Sequence, residues 1–383
     1  YKSILGLMKH AARLAKKSIN LTYSTNWKEL LLSMNKNPIL TIDGSLGEGG
    51  GQVLRSSLAL SLVTSRPFVI ENIRAGRKKP GLMRQHLTAV QAAAKISRAQ
   101  VAGDAIGSVW LEFRPGPVES GDYRFCVGTA GSATLVLQTV LPALMLAEGE
   151  SNLALEGGTH NPFAPPVDFL TQAYLPLVHR MGPKVAVDPT SVQPGFYPAG
   201  GGSFRVNIQP DRQLGRLELI DRGEIRARRV TAMVANLPQH IGERECRIIA
   251  EKTGWPQECF TIEMVEHSRG PGNVVLIELQ SEHVTEVFTG FGQIGVRAEA
   301  VAARALDDAR AYLAAGVPVG RYLADQLLLP LGIGAHLGDG GGLFRTMSPS
   351  LHTTTHIEIL HRFLELDAKI EQAGRDDYVV RIG

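Results

Sequence analysis

The sequence predicts an α/β fold built on a recurring βαβαββ unit, and three observations carry that prediction. From Pro38 onward, short apolar runs alternate with amphipathic stretches of helical period. One order of elements (strand, glycine-rich turn, helix, strand, loop, helix, strand, strand) occurs twice and is suggested a third time after Val296. The chain has 383 residues, 44% apolar and 20% charged, the balance of a globular protein with length for two or three domains.

In the first cycle the strand Pro38 to Ile42 runs into DGSLGEGGGQVLR, residues 43–55, and a helix from Val53 to Val63 follows. A strand at Pro67 to Glu71 leads to the basic loop IRAGRKKPGLMRQH. Pro80 suits the first turn of a helix reaching about Ser97. Strand-like runs near Gln100 to Val101 and Val109 to Arg114 close the cycle. The second cycle takes strand 123–127, the small-residue turn 128–133, helix 134–147, strand 152–156, the loop GGTHNPFAPPVDF, helix 169–181, and strands 185–187 and 202–208. The third is expected to open with helix 297–315 and to end with the helix HTTTHIEILHRFLEL and strand 378–382.

These cycles predict a large domain of residues 34–216 and 296–383, interrupted by a small inserted α/β domain at 217–295. Residues 1–33 are set apart as an extension outside the fold. They hold six Lys/Arg and one Glu, which suits a transit segment or a stretch ahead of a start at Met34, and the latter is expected. Without them, 34 basic face 36 acidic residues, so a general nucleic-acid coat is excluded and any polyanion needs a local site. Three cysteines, none in a CxxC pair, argue for a reducing compartment, hence the cytoplasm, and against a disulfide framework or zinc ribbon. The longest apolar run, about 133–147, is too short and polar to span a membrane.

Four constellations are candidates for chemistry. The turn 43–55 exposes backbone N–H groups and carries Glu48, placed for a metal or a ribose hydroxyl, and Arg55, placed for a phosphate. It is neither a dinucleotide fingerprint, because Gln52 stands where a glycine is required, nor a P-loop. Next come Arg74, Arg77, Lys78, Lys79, Arg84 and Gln85, at a strand end and a helix start, where an anion is favoured. In GRYLADQLLLP, Tyr322, Asp325 and Gln326 are spaced to grip a base and its edges. Finally, His352, His356 and His361 lack an HExxH pattern, and a histidine opening a helix is a candidate nucleophile toward phosphorus. Each also has a plain structural reading as a tight turn, solvated loop, boundary tyrosine or surface imidazole.

Long strings then add a resemblance. DGSLGEGGGQVLRSSLALS, IRAGRKKPGLMRQHLTAV, GTAGSATLVLQTVLPAL, GGTHNPFAPPVDF, GFYPAGGG, RGPGN and GRYLADQLLLP resemble the RNA 3′-terminal phosphate cyclases from Ile39 onward. The resemblance implies three βαβαββ repeats with a small inserted domain, an architecture shared with the enolpyruvyl transferases. It also implies ATP-dependent conversion of an RNA 3′-phosphate to a 2′,3′-cyclic phosphate, through histidine–AMP and an RNA-adenylate. By position, His352 matches the nucleophile, with His356 and His361 as alternatives deeper in the helix. Glu48 matches the residue near the metal and the AMP ribose. Arg55, Arg74, Arg77 and Gln85 match the terminal-phosphate site. Pro165 and Tyr322 match the pair that sandwiches adenine, with Asp325, Gln326 and Gln138 as further nucleotide contacts. Mg²⁺ or Mn²⁺ is the implied cation, RNA 3′-phosphate ends the implied partner, and an RNA ligase a candidate partner in the same pathway. The rival class is a non-catalytic cyclase-like protein of ribosomal RNA processing, which lacks the nucleophilic histidine.

Overall fold

β1 (Leu40–Asp43) and β2 (Phe68–Glu71) pair in parallel, so the chain between them must cross over, and α1 (Gly51–Thr64) makes the crossing. In this computed structural model the described residues are 38–383 apart from Glu48 and Asp339, and residues 40–383 form one unit. After α2 (Arg84–Ser97), β3 (Gln100–Ala102) and β4 (Leu111–Arg114) complete a sheet of order β1-β2-β4-β3, with both β4 pairings antiparallel. In β2, Phe68 and Ile70 are buried while Glu71 is exposed, the alternation of a sheet covered on one face.

The same pattern follows in β5 (Asp122–Cys126), α3 (Ala133–Leu144), β6 (Ser151–Gly157), α4, β7 (Lys184–Val187) and β8 (Gly202–Gln209), a sheet of order β5-β6-β8-β7. Here α4 combines Val167–Phe169, a wide π turn at Leu170–Tyr174 and Leu175–Arg180. Next comes β9 (Leu217–Leu219), and then the chain leaves for β10 (Ile225–Ala235), α5 (His240–Thr253), β11 (Phe260–Val265), β12 (Gly272–Ser281), β13 (Thr285–Phe291) and α6 (Ala298–Ala315). It returns as α7 (Arg321–Leu337), β14 (Gly342–Thr346), α8 (Leu351–Leu364), β15 (Ala368–Gly374) and β16 (Asp377–Ile382). β9 pairs in parallel with β14, in a third sheet of order β9-β14-β16-β15.

Three local expectations are corrected. The helix expected from Pro80 starts at Arg84, because the preceding backbone is spent elsewhere: Gly81 N–H donates to Ile73 O (2.8 Å) and Leu82 N–H to Ser108 O (2.9 Å). The helix expected at 297–315 as the start of the third cycle packs instead on the β11-β10-β12-β13 sheet. Its Val301, Ala305, Leu306 and Ala309 join Val230, Ala232 and Ile249 in one apolar cluster. The first strand of the third sheet is β9, which precedes the excursion.

A second, larger cluster fills the rest. Leu54, Leu58 and Leu60 of α1 are fully buried in it, with Phe68, Val136, Leu328 and Phe363 from the surrounding elements. Truncating Leu58 to Ala would cost about 2–5 kcal/mol. The opposite face of the β10–β13 sheet also enters this cluster, through Met233, Val274, Leu276 and Val287. With both faces covered, β12 reads as the nearly unbroken apolar run NVVLIEL. Among the described residues no helix is long and apolar enough to cross a membrane.

Candidate active site

Apart from His361, the predicted residues that the structure describes stand in the first two turns of six helices, or in the turns that feed them, and side-chain contacts join these helix starts into one network. α1 packs against α2, α3 and α8, and α7 against α8. The N-termini bring unsatisfied N–H groups and partial positive charge, the environment an anion needs.

Two glycines let the first helix start come close. Gly47, at φ +58°, lies against α8, and a Cβ there would sit 1.7 Å from Thr355 Oγ1. A Cβ on Gly51 would sit 2.3 Å from His86 Nε2. Next on α1 comes Gln52, whose Oε1 is 2.6 Å from His352 Nδ1. An amide oxygen accepts only, so Nδ1 carries a proton in this contact.

One turn on, Arg55 is half-buried, and no acidic side chain among the described residues pairs with it. Burial pulls its pKa down to about 10. Arg74 sits at φ +57°, with Nη1 donating to Lys79 O (2.7 Å) and Gly81 O (2.8 Å). Burial and the neighbouring Arg77 lower its pKa. The Arg77 guanidinium reaches the first turn, its Nη2 2.9 Å from where a Cβ on Gly50 would stand. Gln85 opens α2 and accepts from the Ser132 N–H at 3.0 Å, tying it to the second glycine-rich turn. Arg55, Arg74, Arg77 and Gln85 thus share one region. Three guanidinium groups in one region favour a bound anion.

His86 belongs here too and was missed in the sequence. Its Nδ1 accepts from Met83 N–H (3.3 Å), which leaves the proton on Nε2, the atom facing Gly51. Burial first, then Arg55 and Arg74, hold its pKa down to about 3, so the ring is a neutral donor. Its only sequence signal was its place beside Gln85, one residue into the helix. In the sequence Gln52 marks only the position that breaks a nucleotide fingerprint.

On α7, Asp325 is buried and accepts from Thr353 Oγ1 (2.6 Å) and from Ser350 Oγ, the residue that caps α8. His356 lies beneath, 5% exposed, with Nδ1 donating to Asp325 O (3.2 Å) and a pKa lowered to about 4 by burial. His361 is exposed in the last turn of α8, beside Leu366 O and Asp367, away from the network. Gln138 of α3 donates to Gln326 of α7. Tyr322, 52% exposed, stands in the first turn of α7, and its hydroxyl pKa is raised by partial burial and by Asp308. Pro165 is fixed by Thr134 Oγ1, which donates to its carbonyl (2.8 Å). Pro165 and Tyr322 are therefore linked through α3 and α7. The loop carrying Pro165 is held by buried His160, whose Nε2 is 2.7 Å from Oδ2 of the partly exposed Asp168. Glu48 lies outside the described residues. Among the described residues, no three His, Cys, Asp or Glu side chains cluster as a metal cage.

Residues 46–370 match the family described as RNA 3′-terminal phosphate cyclase. The chain belongs to that family. An RNA 3′-terminal phosphate cyclase of Koribacter versatilis is 49% identical over 334 residues, covering 87% of this chain and 92% of that protein. One from Pseudomonas fluorescens is 47% identical over 347 residues, with 91% and 98% covered. One from Salmonella agona is 47% identical over 335 residues, with 88% and 95% covered. The matched span takes in every site residue named above, from Glu48 to His361. In this cyclase-family chain the network of helix starts is the candidate active site.

Proposed function

We propose that this chain is an ATP-dependent enzyme that converts an RNA 3′-terminal phosphate to a 2′,3′-cyclic phosphate. The observation that carries the reading is the position of His352: its Nδ1 is engaged by Gln52, one helical turn from Arg55, which pairs with no acidic side chain among the described residues. In the first step His352 Nε2 attacks the α-phosphorus of ATP. A P–N bond forms, the bond to the β-phosphate oxygen breaks, and pyrophosphate leaves. The Nδ1–H stays on Gln52 and stabilises the charge that the ring develops. In the second step an oxygen of the RNA 3′-phosphate displaces the histidine, forming a phosphoanhydride and breaking P–N. Finally the neighbouring 2′-OH attacks the activated phosphorus and AMP departs, with proximity already built into the ribose.

Arg55, Arg74 and Arg77, with His86 Nε2–H and Gln85, bind the terminal phosphate in this scheme. Pro165 and Tyr322 hold the adenine faces, and Gln138, Asp325 and Gln326 hold its polar edges. His356 is too buried to reach a nucleotide and His361 too distant from the network, which favours His352 over both. A magnesium or manganese ion travelling with the triphosphate needs only one or two protein carboxylates, and Glu48 is the expected one. When bound, the ion neutralises the leaving pyrophosphate. The three sheets of like order represent copies of one βαβαββ unit, the architecture of the enolpyruvyl transferases. A cytoplasmic location and a ligase using the product complete the proposal.

The test is incubation with ATP labelled at the α-phosphate. A protein–AMP adduct that is acid-labile and alkali-stable is expected, lost in His352→Ala. In Arg74→Ala or Arg77→Ala the adduct should persist while RNA ends stay uncyclised. A wild-type protein that forms no adduct would instead be the non-catalytic relative.

A further inference from the structure

Two loops at one end of the first sheet are zippered together through their backbones. Ile73 N–H donates to Val109 O (2.9 Å), Leu82 N–H to Ser108 O (2.9 Å), and Gly107 N–H to Leu82 O (2.8 Å). This holds the β3–β4 loop against the basic segment ahead of α2. Along the seam stand Lys78, Lys79 and Arg84, all exposed and without an acidic partner among the described residues. Beside them are Met83, Val109 and Trp110, 39%, 49% and 45% exposed. The Trp110 ring lies over the backbone of Gly103, where a Cβ would be 3.3 Å from its Cδ2, so one side of the indole is backed. The seam begins at the phosphate cluster itself, since Arg74 Nη1 donates to Lys79 O and Gly81 O.

We propose that this seam is the docking surface for the single-stranded RNA immediately upstream of the terminal phosphate, with Trp110 as a base-stacking platform and Lys78 and Lys79 on the backbone phosphates. The inference rests on the function proposed above and adds a place for the nucleotides upstream of that RNA end. Cations interleaved with exposed apolar groups match a polyanion whose bases need stacking partners. The same interleaving disfavours a protein partner, whose interface core would be depleted of charge. Arg74 ties the phosphate cluster to the segment carrying Lys78 and Lys79, so a strand anchored at that cluster meets this seam next.

The experiment compares 3′-phosphorylated RNAs of 3 and 20 nucleotides in the wild-type chain, Trp110→Ala, Trp110→Phe and Lys78→Ala/Lys79→Ala. For the 20-mer, Trp110→Ala should raise KM about tenfold, the scale of one lost stacked base, and Trp110→Phe should restore most of it. The 3-mer should change far less, and protein–AMP formation should be unaltered. Binding of a 20-mer ending in a 3′-hydroxyl, followed by anisotropy, should lose about 0.7 per missing phosphate contact from its salt slope in the lysine variant. Equal KM changes for both lengths in Trp110→Ala, or an unchanged salt slope, would overturn the proposal. A wild-type chain that forms no adduct sinks the catalytic reading separately, and the binding arm still decides the surface.

Discussion

Gln52 and His352 lie 300 positions apart in the chain and meet at 2.6 Å, amide oxygen to Nδ1. In the neutral ring the contact leaves the lone pair on Nε2, and it strengthens as the ring becomes charged on attack. A hydrogen bond to a charged group contributes about 1.5–3 kcal/mol, so Gln52→Leu should slow protein–AMP formation by about 10- to 100-fold. Rapid-quench measurement of the adduct rate checks this. A wild-type rate in the variant would remove Gln52 from the mechanism.

The contact also marks the limit of what could be read in the chain. Alternating apolar runs and glycine-rich turns made the first two sheets legible, because their signals are local and their partners near. β9 was not legible: it has three residues, and its partner β14 follows an excursion of four strands and two helices. Helix α6 was assigned to the wrong neighbours for a related reason. Its apolar stripe states that it packs, without stating on what. In the site, Arg55, Arg74 and Arg77 could be singled out by charge and His352 by resemblance. Gln52 and His86 are unremarkable in composition, and their roles arise only where two helix starts meet.

Arg55 carries a stability cost alongside its proposed role. A half-buried guanidinium with no acidic partner among the described residues is poorly solvated, and burial lowers its pKa. Arg55→Met keeps the length and removes the charge. It should raise stability in denaturant by about 1 kcal/mol while abolishing cyclisation of RNA ends. Loss of both stability and activity would show that Arg55 is already satisfied in the folded chain.

Acid should act on the same region. His86 is held down to about 3 and His356 to about 4, mainly by burial. Below about pH 6.5 the unfolded chain takes up protons that the folded chain refuses, so stability falls as pH drops from there toward 4. His86→Gln should flatten part of that slope in urea titrations between pH 4 and 7, and an unchanged slope would argue against a buried neutral ring.

Glu286 on β13 gives the opposite dependence. Its buried carboxyl accepts from the Gly320 N–H at 2.5 Å, capping α7 two residues before Tyr322 and six before Gln326. Burial pushes its pKa up to about 8, against the lowering effect of the Gly320 hydrogen bond. Between about pH 4.5 and 8 the folded state keeps a proton that the unfolded state releases, so this group's stabilisation is full in acid and is lost as pH rises through 8. Glu286→Gln keeps the acceptor for Gly320 and removes the titration, so the decline from pH 6 to 8.5 should flatten while the KM for ATP holds. Glu286→Ala removes the cap as well. Its orphaned N–H should loosen the helix start that carries Tyr322, Asp325 and Gln326, raising the KM for ATP several-fold with little change at the RNA phosphate. Equal effects of the two substitutions on that KM would mean that the carboxyl's charge, rather than its hydrogen bond to Gly320, positions the helix.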